Sequence, residues 1–591
     1  VIGTYAAVLA ICASSLAIGQ AAIGLCGGRS WSWLSPAVGL ALLCAVCWGT
    51  VRLPGNGVVS AVLVPALTVA SVTWLWGRVE GVGEALRVGW PVALAALLAA
   101  SLPFAVEGHF GILGTSFNPD MSQHLLAADR LAEGHSTQLL NQGYPLGPHA
   151  IVVALNKGLG IGLVQGFSGL TAAVAIIASL TALAAFRDLP SIPRTAGALL
   201  VGLAYIVASY LAQGAFKETM QALFLLAFAL ALRESQRDWR DLQLRFVPAA
   251  LIAAGSIYTY SFPSLIWLGP ALVLFLILSA VGGAGLGDHP EQLLQRTDGG
   301  TKPATGPAAR ALGLAGVVFL VLTLPELPRM LDFHSFETFD PNGPGLGNLF
   351  GQISPVEALG IWPSGDFRLA PGDGAVPAVA YYLGIAFALA LFLYGLVQLW
   401  RHRESAILAA LAAAALAYAA ARVGGTPYTA AKAIEIAAPL VALTILLPLL
   451  GRFSVPGGRK SAPSPLVFAA AALFVAAAGV CSLLALANAP VGPTSYFSQL
   501  SEYRKAVGEG PTLVLASPQF LEEEHGEPFL AWELRGGRVC IQSTEEAKVP
   551  PGTHFVISDE DGWTLKRVQA PPGKSPCPLV AERQARQGPA R

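Results

Sequence analysis

Residues 1–25 read VIGTYAAVLAICASSLAIGQAAIGL, an apolar run without Lys, Arg, Asp or Glu. As a helix it is long enough to cross the ~30 Å of hydrocarbon in a bilayer. Comparable runs of roughly 18 to 25 residues recur along the chain, the last of them ending near residue 489. The whole composition agrees: of 591 residues, 54% are hydrophobic and 12% charged, and the mean hydropathy is +0.59, far from the usual soluble balance. The chain therefore reads as a mainly α, polytopic membrane helical bundle. About fourteen transmembrane helices are expected, near 2–24, 36–51, 58–76, 88–107, 165–186, 194–212, 219–233, 246–262, 264–284, 309–326, 376–400, 405–421, 432–450 and 464–488. The first run has no basic flank and no convincing cleavage site, so it is expected to be a membrane helix and not a removable signal. The formal net charge is zero and points to no nucleic-acid partner.

Orientation follows from Lys and Arg, which are retained on the cytoplasmic side. Arg233, Arg237, Arg240 and Arg245, then Arg296, Lys302 and Arg310, then RHR and GRFSVPGGRK, all fall on one side. The segment 108–148, whose only Lys or Arg is Arg130, and the segment 326–375 fall on the other and are expected to be external loops. This parity requires 149–164 to lie along the interface. Residues 1–489 form the membrane domain, and the polar tail 490–591 alternates short helical and strand-like stretches, as in a small extracytoplasmic α/β domain. Of seven cysteines, Cys12, Cys26, Cys44, Cys47 and Cys481 lie in or beside apolar helices and read as packing residues. Cys540 and Cys577 lie in the tail and can pair there if it is external.

The first external loop contains FNPDMSQHLLAADRLAEG, residues 117–134, where Leu125, Leu126, Ala128 and Leu131 recur at helical spacing. Asn118 or Asp120 can cap this helix, His124 follows Asp120 one turn later, and Gly134 closes it. Asp120 reads either as a cap alone or as a general base or metal ligand at the rim of a water-filled cavity. His124 reads as polar surface or as a support for Asp120.

An acid just beyond a membrane helix, an amphipathic helix ending in Gly134 and the Tyr144-Pro145 pair before the next span resemble the GT-C superfamily of membrane glycosyltransferases. The resemblance implies transfer of a sugar from a polyprenyl-phosphate donor to an envelope glycan or lipid acceptor on the external face. It implies Asp120 as the base, with a divalent cation such as Mg or Mn as a further expectation. Inverting transfer needs such a base, and a cation for the departing phosphate.

Three cations stand at external helix ends. Lys217, next to Glu218, is either an interfacial anchor or a phosphate ligand. Arg422 and Lys432 flank Tyr428; Lys432 either pairs with Glu435 on one helix face or, like Arg422, grips the donor phosphate. Tyr144, His149, Glu218, Glu326, Arg329 and Tyr428 complete the expected pocket, although Glu326 and Arg329 also fit a solvated loop. Tyr258 and Tyr260 read more simply as interfacial aromatics. The competing readings are a transporter or flippase for lipid-linked glycans, which needs no base, and a polymerase using a pyrophosphate-linked chain.

Overall fold

The computed structural model describes all residues except 29, 116–119, 136–137, 237–241, 282–305, 335–344, 452–464, 523–525, 547, 560–561, 570 and 581–591. Asn118, the loop residues Arg237, Arg240, Arg296 and Lys302, and the basic residues of GRFSVPGGRK lie outside the described residues.

The protein is a bundle of membrane-length helices with a small α/β unit at one end. Ten described helices are long and apolar enough to cross a bilayer, from Ile2–Leu25 to Pro465–Ala487. A further span, Ser191–Gly202 with Tyr205–Ala212, is broken by a 54° bend, and Ser35–Val51 and Val247–Tyr260 are shorter apolar helices. Phe216–Glu234 carries Lys217 and Glu218 in its first turn, which keeps its composition less apolar than the others.

Burial sorts the helices into layers. Leu163–Phe186 and Pro427–Leu450 are 94% and 89% buried over an 18-residue apolar stretch and form the centre, whereas Val58–Leu75, at 6%, lies at the periphery. Without a hydrophobic force between helices in lipid, close approach relies on small residues. Ile2–Leu25 and Ser35–Val51 meet in this way: a Cβ on Gly19 would overlap the Ser35 carbonyl, and one on Gly39 would overlap that of Ser15.

The helix Gly147–Leu159 packs against Ser35–Val51, Val58–Leu75 and Asp120–Glu133. Its first residue lies against Cys44 and Tyr258, and Gly158 lies against Ala61. The amphipathic Asp120–Glu133 helix buries Leu125, Leu126, Ala128 and Leu131 at the spacing that its sequence shows.

A two-stranded sheet ties the start of the tail to the first loop, and a four-stranded sheet lies within the tail. Strand β1 (Ile112–Leu113) pairs antiparallel with β2 (Val491–Gly492). In the tail, β3 (Thr512–Ala516), β4 (Val539–Ser543), β5 (Phe555–Asp559) and β6 (Trp563–Arg567) lie in the order β4-β3-β5-β6, with β6 alone antiparallel to its neighbour. β3 is central and almost wholly buried, as a strand covered on both faces must be. The helix Gly526–Glu533 docks this sheet on Asp120–Glu133, and Cys540 and Cys577 are joined by a disulfide. The five other cysteines are free and at least partly buried, as packing residues are.

Candidate active site

Three helix starts, those of Asp120–Glu133, Phe216–Glu234 and Pro427–Leu450, bring polar side chains together at the end of the bundle that carries the tail sheet. Lys432 pairs with Glu218 at 3.0 Å across two helices, and its ammonium lies 4.1 Å from the centre of the Tyr428 ring. The pairing is therefore neither Lys217 with Glu218 nor Lys432 with Glu435. Residues adjacent in a helix point about 100° apart, so Lys217 and Glu218 cannot both face Lys432.

Lys217 instead places its ammonium 4.0 Å over the ring of Tyr144. Its side chain is buried, and among the described residues no carboxylate comes within ion-pair distance of it. Asp120 lies close enough to act electrostatically on Lys217, on Tyr428 and, from the tail, on Tyr496. Asp120, Lys217, Lys432, Glu218, Tyr144 and Tyr428 thus form one cluster, and Tyr260 joins it through its electrostatic contact with Lys432.

His124 and His149 sit behind this cluster. His149 Nε2 and His124 Nδ1 are 3.1 Å apart, and both rings pack edgewise on Phe216. One ring must donate and the other accept, so the pair holds at most one extra proton with the bond intact. Burial is the main cause that keeps His124 well below its usual range, with His149, Lys217 and Lys432 adding repulsion; burial alone takes His149 down to about 3.

Glu326 and Arg329 are buried and hold the wall in place. Arg329 Nε donates to Glu326 at 2.6 Å, and Trp48 and Arg52 also donate to that carboxylate, at 2.8 and 3.0 Å. The remaining guanidinium nitrogens donate to the carbonyls of Gly143 at 2.8 Å and Ile257 at 3.2 Å. Gly143 has φ +70, and a Cβ there would overlap the Arg329 carbonyl. The network therefore fixes the turn that presents Tyr144 to Lys217. Tyr258 is likewise buried and donates to the Leu322 carbonyl at 2.5 Å, so it is not an interfacial aromatic.

Arg422 lies apart from the cluster. It ends an exposed helix turn beside Val423, which is 89% exposed, and donates to Gln352 at 2.7 Å. The second loop reaches the cluster through Gly347, whose position leaves no room for a Cβ against the Tyr428 ring. Gln221 and Glu435, one turn further along their helices than Glu218 and Lys432, are fully buried, and their side chains have no hydrogen-bond partner among the described residues. Sequence reading gave Gln221 no role, since a lone amide in an apolar run carries no spacing signal.

Among the described residues no three His, Cys, Asp or Glu side chains gather to hold a metal ion. Asp120 would offer Mg or Mn one protein ligand, leaving donor phosphate and water to supply the rest.

No family model matches the chain, and no curated protein matches it. Among solved structures, the arabinofuranosyltransferase AftD from Mycobacteria is similar with a TM-score of 0.47 and 14% sequence identity, over 80% of this chain and 35% of that one. The chain thus spans about a third of the length of that structure.

Proposed function

We propose that this chain is a multi-pass membrane glycosyltransferase that passes a sugar from a polyprenyl-phosphate donor to an envelope glycan or lipid acceptor on the external face of the cell membrane. The observation that carries the reading is Lys217, a buried cation without an ion-pair partner among the described residues, set beside Asp120 at the mouth of the bundle. A desolvated ammonium resting on an aromatic ring keeps its donors for an anion.

In the proposed reaction the acceptor hydroxyl oxygen forms a bond to the anomeric carbon as the bond from that carbon to the phosphate oxygen breaks. Asp120 takes the hydroxyl proton, and the lipid phosphate leaves with its negative charge facing Lys217. Glu218 is held by Lys432 at 3.0 Å, which leaves the donors of the Lys217 ammonium free to face the leaving phosphate. Tail Cys540–Cys577 pairing and the low Lys and Arg content of the 108–148 loop support an external face.

The transporter reading needs a polar path through the bundle. Beyond Gln221 and Glu435 the two helices continue as ALFLLAFALAL and IAAPLVALTILLPLL, with Thr444 as the one polar side chain in either run. Those two helices therefore offer no polar path inward from the cluster.

Purified protein given a panel of radiolabelled polyprenyl-phosphate sugars with envelope acceptors tests the proposal. Transfer by the wild type that is abolished in Asp120→Asn is expected. Undiminished transfer by that variant removes Asp120 as the base.

A further inference from the structure

A cavity of about 400 Å³ opens between the Asp120–Glu133 helix, the Gly147–Leu159 to Leu163–Phe186 turn and the tail. That volume falls in the range of small-molecule sites. Six of its side chains are strongly polar: Asp129, Glu133, Asn156, Lys157, Gln165 and Arg535. They come from four separate elements, so the convergence is tertiary. Asp129 lies nine residues beyond Asp120, which turns it by about 180° around the helix. The cavity is thus on the opposite side of that helix from the Lys217 cluster.

Its lining holds two carboxylates, a Lys and an Arg, and Glu133 is itself paired with Arg130 at 2.9 Å. Arg535 pairs with Asp129 at 3.5 Å and stacks 3.6 Å from the centre of the Trp532 ring. Trp532 is 2% exposed, and its indole N–H has no hydrogen-bond partner among the described residues; neither has Asp129 Oδ2. Burial raises the Asp129 carboxyl and takes Arg535 down to about 10, in each case outweighing their mutual attraction. A mixed set of donors, acceptors and amides, its two carboxylates each already engaged by an Arg, suits a neutral polyol rather than an anion or a cation.

We infer that this cavity binds a neutral oligosaccharide stretch of the envelope glycan at a site separate from the reaction. Choosing a glycan among polyols rests on the glycosyltransferase reading, but the binding itself does not. The tail supplies Thr494, Trp532 and Arg535 to the wall, which gives it the task of holding the polymer.

Saturation-transfer NMR on the detergent-solubilised full chain, with neutral hexose and pentose di- and trisaccharides and no donor present, tests this. At least one saccharide is expected to bind, and Gln165→Leu is expected to weaken it about tenfold, the cost of one lost hydrogen bond to a buried partner. Thr494→Val, a smaller change at the same wall, gives a second reading if Gln165→Leu does not fold. No signal from any saccharide overturns the inference, as does binding that neither substitution alters. A co-purified phospholipid that both variants lose, seen by native mass spectrometry without a saccharide signal, also overturns it. Because turnover is not involved, failure of sugar transfer leaves this result standing, and the reverse holds too.

Discussion

The Nζ atom of Lys217 sits 4.0 Å from the centre of the Tyr144 ring, and the turn carrying that ring is held by Arg329 through the Gly143 carbonyl. A cation so placed has lost water and gained a ring face, worth ~2 kcal/mol or more once desolvated. Tyr144→Phe keeps the ring and is expected to leave transfer near wild type. Tyr144→Leu is expected to raise KM for the donor by about tenfold, and Lys217→Gln to lower kcat by roughly 10²–10³. Steady-state kinetics with the labelled donor separate the two effects; an active Lys217→Gln would dismiss the phosphate role.

Arg329→Gln strips Glu326 of one of its three donors and takes the guanidinium from the carbonyls of Gly143 and Ile257, the latter still accepting from the Ser261 N–H at 3.0 Å. Both members of the ion pair are buried, Glu326 fully. Breaking a buried pair from one side costs about 3–5 kcal/mol where the remaining charge has no other partner, and less here because Arg52 still reaches Glu326 at 3.0 Å. Thermal unfolding in detergent is expected to show a clear fall in Tm. A midpoint unchanged from wild type would mean that water reaches the network.

Most spans were legible as long apolar runs, and some bounds agree closely: 2–24 is Ile2–Leu25, and 464–488 is Pro465–Ala487, whereas 88–107 is Val82–Ala100 followed by Leu102–Glu107 and 194–212 is two helices bent by 54°. The cluster was legible only as a set of separate charged positions. Lys432 has Glu435 at helical spacing, which suggests a local pair, whereas its partner is Glu218, more than two hundred residues away. Packing of Phe216–Glu234 beside Pro427–Leu450 creates that pair, and nothing local encodes it. Arg422 shows the opposite limit: a cation near the right motif is directed elsewhere because its helix turn faces outward. Glu326 and Arg329 were visible as neighbours, but their role in holding Gly143 depends on a contact across the fold.

The histidine pair gives a pH signature. His124 and His149 both have folded-state values below the unfolded imidazole value, chiefly through burial, with His149 down to about 3. Below about pH 6.5 the unfolded chain takes up protons that the folded pair does not. Stability is therefore complete above that pH and falls as pH drops from about 6.5 towards 3. Tm measured across this window should decline, and less steeply in His149→Gln. Identical slopes in the two proteins would assign the decline to other groups.

The disulfide makes a regional prediction. Cys540 lies on β4, the outer strand of the tail sheet, and Cys577 begins the segment that covers its open side. Val539 donates to the Pro578 carbonyl and Val580 to that of Gly537, each at 3.0 Å. An uncovered sheet edge exposes unpaired backbone groups, so this segment closes what β4 would otherwise leave open. The bond spans 37 residues, and a loop of that size constrains the unfolded chain by ~3–4 kcal/mol in the chain-entropy account. Reduction should therefore loosen the tail sheet first. Hydrogen exchange is expected to rise at 539–543 and 577–580 while Leu163–Phe186 and Pro427–Leu450, where no described disulfide lies, stay protected. The Cys540→Ser, Cys577→Ser double variant should reproduce the pattern without reductant. Unchanged exchange at β4 under both conditions would show that the backbone bonds alone hold the edge.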